Sequence, residues 1–114
     1  MKVIYVAGPY RSSHEWGVTN NIRQAELAAL ELWKMGYAVI CPHKNTAYFG
    51  GAAPDSVWLE GDLEILRRCD AVYCLPSWRE SSGARGEVDE AKRVGIPVFE
   101  QLNDCRSFLL PANQ

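Results

Sequence analysis

The alternation of apolar runs with amphipathic segments is the feature that most constrains the fold. Four short apolar runs, at 3–7, 37–42, 71–76 and 96–99, are separated by longer segments with apolar residues at helical spacing. Such runs are typical of strands buried on both faces of a parallel sheet. The β-α-β-α-β-α-β order therefore predicts an α/β fold, a Rossmann- or flavodoxin-like open parallel sheet with helices on both faces. All of 1–114 is expected to form a single domain.

Cap and stop residues give the approximate bounds of the helices. The first is expected to begin at 20–21 and to end before Gly36, which leaves 10–17 as a polar loop. The second is expected over 54–68, and the third over 81–95. The weakly patterned tail that follows is expected to form a short helix around 104–110 or to pack against another subunit.

Three loops, 8–17, 42–54 and 76–83, should meet at the carboxyl ends of the strands, where open parallel sheets bind ligands. The middle loop has no helical periodicity, and its composition suits a substrate lid or a base pocket. Its candidate binding residues are His43 and Asn45, although an ordinary loop role for His43 is the commoner case. The tryptophans Trp16 and Trp58 could stack on a base, although simple packing is the commoner role of this residue.

Composition excludes several classes of function. The net charge of −2 gives no footprint for polymeric nucleic acid, and no apolar run reaches the ~18 residues of a membrane span. Met1-Lys2 leads straight into a strand, so no signal peptide is expected and the protein is expected to be cytoplasmic. The four cysteines show neither a CxxC pair nor zinc-ligand spacing, which predicts free thiols and no metal site.

The stretch Ser81 to Glu87 carries the strongest signal for chemistry. Serines and glycines at a strand-to-helix junction leave backbone N–H groups free to point at an anion, so Ser81, Gly83 and Ala84 are candidate ligand-binding residues. Glu87 follows in the first turns of the helix, on the face shared with Ala84, Ala91 and Val94. An inward carboxylate beside an anion-binding loop indicates a nucleophile or a base.

A second acid, Asp62, lies within the apolar stripe formed by Leu59, Leu63 and Leu66. A short acid at such a position is costly to bury unless it has a partner or a function. The alternative interpretation is a structural ion pair with a neighbouring arginine. The residues alone thus predict an α/β domain with two inward carboxylates and loops suited to a small anion.

Three motifs together carry a resemblance to a known family. They are Tyr5-Val6-Ala7-Gly8-Pro9-Tyr10-Arg11, the segment 60–72, and Ser81-Ser82-Gly83-Ala84-Arg85-Gly86-Glu87. In this order and spacing the chain resembles the nucleoside 2-deoxyribosyltransferase-like superfamily over 3–99. Within it, the closer likeness is to the 2′-deoxynucleoside 5′-monophosphate N-glycosidases.

The resemblance implies three catalytic residues and no cofactor. Glu87 takes the place of the glutamate that attacks C1′ of the sugar and holds the glycosyl group covalently. Asp62 takes the place of an aspartate that assists proton handling at the leaving base. Tyr5 matches the tyrosine of the first strand. Neither a metal nor an organic cofactor is expected, because the carboxylates supply nucleophile and acid.

The resemblance also bears on the substrate. Six residues before the glutamate, transferases of free nucleosides have an aspartate and monophosphate hydrolases have a serine; here the residue is Ser81. Arg11 matches an arginine of the hydrolases' first loop. Pro9 stands where the hydrolases have a serine, so Ser12 or Ser13 would have to substitute. The first loop is thus expected to bind substrate through Gly8, Pro9, Tyr10, Arg11 and Ser12.

The leading hypothesis is an N-glycosidase that releases the base from a (deoxy)nucleoside 5′-monophosphate. Base exchange between deoxynucleosides is the second hypothesis, and a nucleotide-binding sensor without turnover is the third. A homodimer or larger closed assembly is expected, because a domain this small leaves its site shallow. The apolar residues expected to pack in that interface are Trp58, Phe108, Leu109 and Leu110.

Overall fold

Four strands form the sheet, and the computed structural model describes residues 1–109. The strands are β1 (Val3–Ala7), β2 (Ala38–Ile40), β3 (Ala71–Cys74) and β4 (Val98–Phe99). They pair in the order β2-β1-β3-β4, and each neighbouring pair is parallel. The predicted open parallel sheet is therefore confirmed.

Within residues 1–109, five α-helices connect and flank these strands. They are α1 (Glu15–Met35), α2 (Pro42–Asn45), α3 (Asp55–Arg67), α4 (Ser82–Val94) and α5 (Leu102–Phe108). A 3₁₀ turn at Trp78–Glu80 precedes α4. Within residues 1–109, no helix is long and apolar enough to cross a membrane.

The first helix begins earlier than its sequence pattern predicts. His14 has an extended backbone, and its Nδ1 accepts the N–H of Gly17 at 3.0 Å. This side-chain cap starts the helix at Glu15, before the expected cap at 20–21. The expectation of a polar loop over all of 10–17 was therefore wrong for its last residues.

The segment predicted as one loop, 43–53, contains part of a helix. Pro42 occupies the first helical position, where its missing N–H costs nothing, and starts the four-residue helix α2. In the tail, α5 begins two residues before the expected start at 104. The far end of that expected helix, Leu110, lies outside the described residues.

The two faces of the sheet have separate cores. One core packs α1 and α5 on the sheet through residues that include Ile4, Val6 and Leu32. The other packs α3 and α4 on the opposite face through residues that include Tyr5 and Val88. Helices on both faces, as predicted, leave β1 and β3 buried on both sides.

Two predicted inward faces are only partly buried. On α3, Leu66 is fully buried, but Leu59 is 48% exposed because it lies over an open cavity. On α4, the buried residues are Ala84, Val88 and Ala91, whereas Val94 at the end of the helix is 40% exposed. The inward phase of Val94 was therefore predicted wrongly.

A crevice forms where the connections after two adjacent strands leave the sheet on opposite faces. After β1 the chain leads into α1 on one face, and after the adjacent β3 it leads into α4 on the other. Adjacent strands whose connections leave on opposite faces form the topological switch point at which such sheets bind ligands. The strand order places this point between β1 and β3.

A close contact between the two strand ends shapes the crevice. The Leu75 N–H donates to the Ala7 carbonyl at 2.8 Å, which extends the pairing of β1 with β3 by one residue. A Cβ added to Gly8 would lie 2.4 Å from Leu75 Cδ1 and 2.9 Å from Leu75 Cβ. Real Cβ atoms do not approach so closely, so any side chain at position 8 would force Leu75 to shift.

We expect Gly8→Ala to destabilise the protein by about 1–3 kcal/mol, because the added methyl overpacks the contact with Leu75. Gly61→Ala is the matched control. A Cβ at Gly61, inside α3, meets nothing within 4 Å, so alanine should stabilise that helix by up to ~1 kcal/mol. Urea unfolding of the two variants measures both effects. Equal midpoints for Gly8→Ala and the wild type would contradict the close approach.

Candidate functional site

A cavity of about 680 Å³ opens at the switch point. Its walls come from the loop after β1, from α2, from the outer side of α3 and from the start of α4. Eleven of the residues predicted to be functional line it: Gly8, Pro9, Tyr10, Arg11, Ser12, His43, Asp62, Ser81, Gly83, Ala84 and Glu87. Segments distant in sequence thus meet at one place, as the topology predicts.

Two predicted residues lie outside the lining of this cavity. Tyr5 lies beneath α4 in the core, fully buried, and reaches the site only through its hydroxyl. Asn45 lines a different groove, between α1 and β2. The expectation that Asn45 contacts the substrate does not fit this position, because α2 turns His43 and Asn45 to different sides.

Glu87 is held by the buried tyrosine. The Tyr5 hydroxyl donates a hydrogen bond to Glu87 Oε2. Burial and the neighbouring carboxylate raise the pKa of Tyr5 far above its ordinary value, so the phenol stays protonated and remains a donor. Tyr5 therefore fixes one carboxylate oxygen of Glu87 and leaves the other for a ligand.

The two carboxylates of the cavity both have raised pKa values. Burial, aided by the charge of Asp62 and opposed by the hydrogen bond from Tyr5, raises the pKa of Glu87 to about 7. Burial raises the pKa of Asp62 to about 6. Both raised pKa values lie close to neutral pH, so each carboxyl can be protonated or ionised there. The cavity therefore holds two carboxyls able to act as an acid or as a carboxylate.

Asp62 has no counter-ion within residues 1–109. The arginines of its own helix and of the adjoining cap residue pair elsewhere: Arg67 with Glu64 and Glu90, and Arg68 with Glu64. The alternative interpretation of Asp62 as half of a structural ion pair is therefore not supported by the described residues. A half-buried acid without a partner, facing a cavity, is more typical of a functional group.

Ser81 acts as the N-cap of α4. Its Oγ accepts the Ala84 N–H at 3.1 Å, so this amide is already paired. The hydroxyl hydrogen of Ser81 remains available to donate. Ser82 and Gly83, the first helical residues, also line the cavity, and N–H groups of a first turn have no intrahelical acceptor. The start of α4 is therefore suited to binding an anion or a hydroxyl.

At the mouth of the cavity Arg11 binds an acid. Its Nη2 lies 2.5 Å from Asp55 Oδ2, and this ion pair joins the loop after β1 to the start of α3. Glu80 also lines the cavity, beside Ser81. Sequence reasoning missed Asp55 and Glu80, because helix-start acids are common and neither lies within a recognised motif. Four carboxylates and one guanidinium thus line the cavity.

His43 and Trp58 form the remaining wall. His43 is 5% exposed, and its Nε2 donates to the Pro9 carbonyl at 2.8 Å. Burial lowers the pKa of His43, so the ring is neutral and Nδ1 carries a lone pair. Within residues 1–109, neither His43 Nδ1 nor Trp58 Nε1 has a partner. The ordinary-loop interpretation of His43 was wrong, because α2 turns its ring inward.

Comparison with known families adds to this geometry. The model of DUF4406, described as a domain of unknown function, matches residues 2–100. The chain belongs to this family. No curated protein matches its sequence.

Two solved structures share the fold of this DUF4406 chain. One is a 2-deoxyribosyltransferase from Bacillus psychrosaccharolyticus, with a TM-score of 0.69 and 18% identity over 97% of this chain and 93% of that one. The other is a conserved protein from Enterococcus faecalis V583, with a TM-score of 0.70 and 22% identity. That match covers 86% of this chain and 61% of the other. At these identities the likeness shows a shared fold.

The raised pKa of Glu87 should make the folding stability of the protein depend on pH. A carboxyl with a folded pKa of about 7 and an ordinary value of 4.5 disfavours the folded state increasingly as pH rises between these values. Glu87→Gln still accepts from Tyr5 but carries no charge. We therefore expect Glu87→Gln to be more stable than the wild-type DUF4406 chain by about 1–3 kcal/mol at pH 8, and no more stable at pH 4.

Thermal unfolding across this pH range measures the difference, at roughly 4 °C or more per kcal/mol for a domain of this size. Asp89→Asn is the control, since Asp89 is an exposed acid of the same helix. It should show no comparable gain as pH rises. A difference between Glu87→Gln and wild type that is constant with pH would contradict the raised pKa.

Proposed function

We propose that the protein breaks the N-glycosidic bond of a nucleoside or a nucleoside 5′-monophosphate, with Glu87 as the nucleophile. The observation that carries this proposal is the pair of carboxyls, Glu87 and Asp62, which line the same cavity and both have pKa values raised toward neutral pH. The fold shared with a 2-deoxyribosyltransferase supports it. So does the hydrogen bond by which Tyr5 positions the glutamate.

The first step uses both carboxylates. An oxygen of ionised Glu87 attacks C1′ of the sugar as the bond from C1′ to the base nitrogen breaks. The base takes the bonding electrons and receives a proton from Asp62, which becomes a carboxylate. The products of this step are the free base and a glycosyl ester of Glu87.

The second step frees the enzyme. In hydrolysis, a water loses a proton to Asp62 and its oxygen attacks C1′, so the sugar is released and Glu87 leaves as a carboxylate. In base exchange, the nitrogen of a second base attacks in place of water. Both routes return a proton to Asp62 and free the carboxylate of Glu87, so the same two residues serve either reaction.

Tyr5 acts on the reaction through Glu87. Its hydrogen bond lowers the pKa of that carboxyl, and so increases the ionised fraction at neutral pH. It also fixes the carboxylate orientation toward the cavity. Because its hydroxyl is buried and bonded to Glu87, Tyr5 is a positioning residue for the nucleophile.

The monophosphate substrate is supported by the start of α4. Ser81 offers a hydroxyl and the first helical residues offer N–H groups, which together suit a phosphate at the 5′ position of the sugar. Arg11 lines the same cavity and adds a positive charge to its lining. This arrangement favours hydrolysis of a (deoxy)nucleoside 5′-monophosphate as the leading function.

The acidic mouth favours the second candidate, base exchange on free nucleosides. Asp55 already binds Arg11 at 2.5 Å, and Glu80 lies beside Ser81. A phosphate dianion would have to displace one carboxylate from Arg11 and approach another. An uncharged nucleoside neither displaces Asp55 nor is repelled by Glu80. These two acids therefore determine the relative affinity for nucleoside and monophosphate.

The main test is release of free base. The purified protein is incubated with nucleosides and 5′-monophosphates, with and without a second base, and the products are separated by chromatography. We expect Glu87→Gln to retain ligand binding and to lose base release by at least ~10³-fold, since no other group can form the glycosyl ester. Asp89→Asn, on the same helix, should keep normal turnover.

Three outcomes discriminate between the hypotheses. Base release without an added base indicates hydrolysis, and base release that requires one indicates exchange. Binding of nucleotides without any turnover by the wild type would favour the sensor hypothesis. Normal turnover by Glu87→Gln would remove the glutamate from the mechanism.

A substitution at Ser81 separates the two substrates. Ser81→Asp keeps a good N-cap, because the aspartate can still accept the Ala84 N–H. It removes the hydroxyl donor and adds a negative charge beside the phosphate. We expect kcat/KM for a monophosphate to fall by about 10- to 150-fold or more, the effect of losing one hydrogen bond to a charged group. Turnover of the free nucleoside should change little.

Steady-state kinetics with a matched nucleoside and monophosphate measure this difference. Glu60→Gln, an exposed change on α3, should leave both substrates unaffected. Equal losses for the two substrates in Ser81→Asp would contradict phosphate binding at Ser81. The exchange reaction on free nucleosides would then be the better proposal.

A further inference from the structure

The distribution of apolar side chains on α1 is opposite to that of most surface helices. The side that packs on the sheet is made mainly of small residues, Ala25, Ala28 and Ala29, together with Leu32. The larger apolar residues point away from the sheet: Leu27 is 61% exposed, Leu30 55% and Trp33 54%. A surface helix normally buries its large apolar residues.

These residues continue into an apolar groove. A groove of about 600 Å³ lies between α1 and the edge strand β2, and Leu27, Leu30 and Trp33 line it together with Val39 and Ile40. We call this surface, Leu27, Leu30 and Trp33 with the groove, the α1 face. No part of residues 1–109 covers it.

The size of the α1 face is that of the apolar part of a dimer interface. Three large side chains about half exposed, with the groove beside them, present on the order of 400 Å² of apolar surface. A standard interface buries about 800 Å² per partner, of which somewhat more than half is apolar. The α1 face therefore supplies most of the apolar area that a stable dimer needs.

The charges around the α1 face are balanced. Glu31 lies 3.5 Å from Lys34, and Glu26 lies 3.4 Å from Lys44. Two acids and two bases that pair within the chain give no net charge at the rim. A strongly charged rim would select an oppositely charged partner, whereas a balanced one does not repel a second copy of itself.

The positions of these residues along α1 are compatible with a two-fold arrangement. Leu30 lies between Leu27 and Trp33 in the helix, and all three line the groove. A two-fold axis near Leu30 that sets two α1 helices antiparallel brings each Leu30 against its counterpart. It also sets each Trp33 opposite Leu27 of the other copy, beside that copy's groove. Such an interface closes with two copies.

We propose that the α1 face is the self-association surface of the protein and binds the same face of a second copy about a two-fold axis near Leu30. This surface differs from the one expected from sequence. Phe108 and Leu109 pack against the chain's own core, where the Phe108 ring lies 5.2 Å from that of Phe99. Trp58 is half-buried against Phe49. Leu110 lies outside the described residues.

Sedimentation velocity across the micromolar range tests the proposal. The wild type should be a dimer, and Leu30→Glu should raise the dissociation constant at least ~30-fold, because it buries two carboxylates against each other at the axis. Val57→Glu is the matched control, the same change at a residue of α3 that is 49% exposed. It should leave the dimer intact, and circular dichroism should show that both variants are folded.

Trp33 provides a second, independent variant. Trp33→Ala should weaken the dimer by a similar factor, since a buried tryptophan is a common centre of binding energy. A chain that ends at Leu109 should associate like the wild type.

A monomeric wild type, or equal effects of Leu30→Glu and Val57→Glu, would overturn the proposal. So would a truncated chain that dimerises when the full chain does not, because the tail would then be the occupant of the α1 face.

Discussion

The pairing of β1 with β3 at the centre of the sheet is the constraint on which the rest of the structure depends. Because the connections that follow these two strands leave on opposite faces, the pairing builds both cores and opens the crevice between them. It also brings the turn at Gly8 against Leu75, so closely that a side chain at position 8 would displace Leu75. The cavity therefore lies between elements fixed by the two most buried strands, and its geometry is that of the sheet itself.

Burial of the two carboxylates of the crevice lowers the folding stability of the protein. Glu87 and Asp62 lie on helices that pack on the same core as Tyr5, and burial raises both of their pKa values. The hydrogen bond from Tyr5 offsets part of that cost for Glu87 and none of it for Asp62. Asp62, which has no counter-ion within residues 1–109, therefore lowers stability at neutral pH. No structural role for its carboxylate is evident from its contacts. The function we propose gives it a place, because that reaction needs a carboxylic acid beside a carboxylate nucleophile.

The sequence predicted those parts of the molecule that depend on local pattern. Apolar runs located all four strands, and the Ser81–Glu87 motif located the start of α4. The errors came from contacts that pattern does not show. The side chain of His14 caps α1 earlier than Asn20, and Pro42 starts a helix inside an expected loop. In the same way, Asn45 was grouped with His43 by proximity in sequence, although a helix of four residues turns them to different surfaces. Asp55 and Glu80 carry no motif, so only the folded chain brings them to the cavity.

The short helix α2 connects the crevice to the α1 face. On one side His43 lines the crevice and donates to the Pro9 carbonyl, which fixes the loop after β1. On the other side Lys44 and Asn45 line the groove beside α1. A protein that covers this groove therefore contacts α2, the same four-residue helix that forms one wall of the crevice. Because a helix of one turn has few hydrogen bonds of its own, its position depends on the contacts on both sides. Occupation of the α1 face would stabilise that wall, and so would couple assembly to the shape of the site.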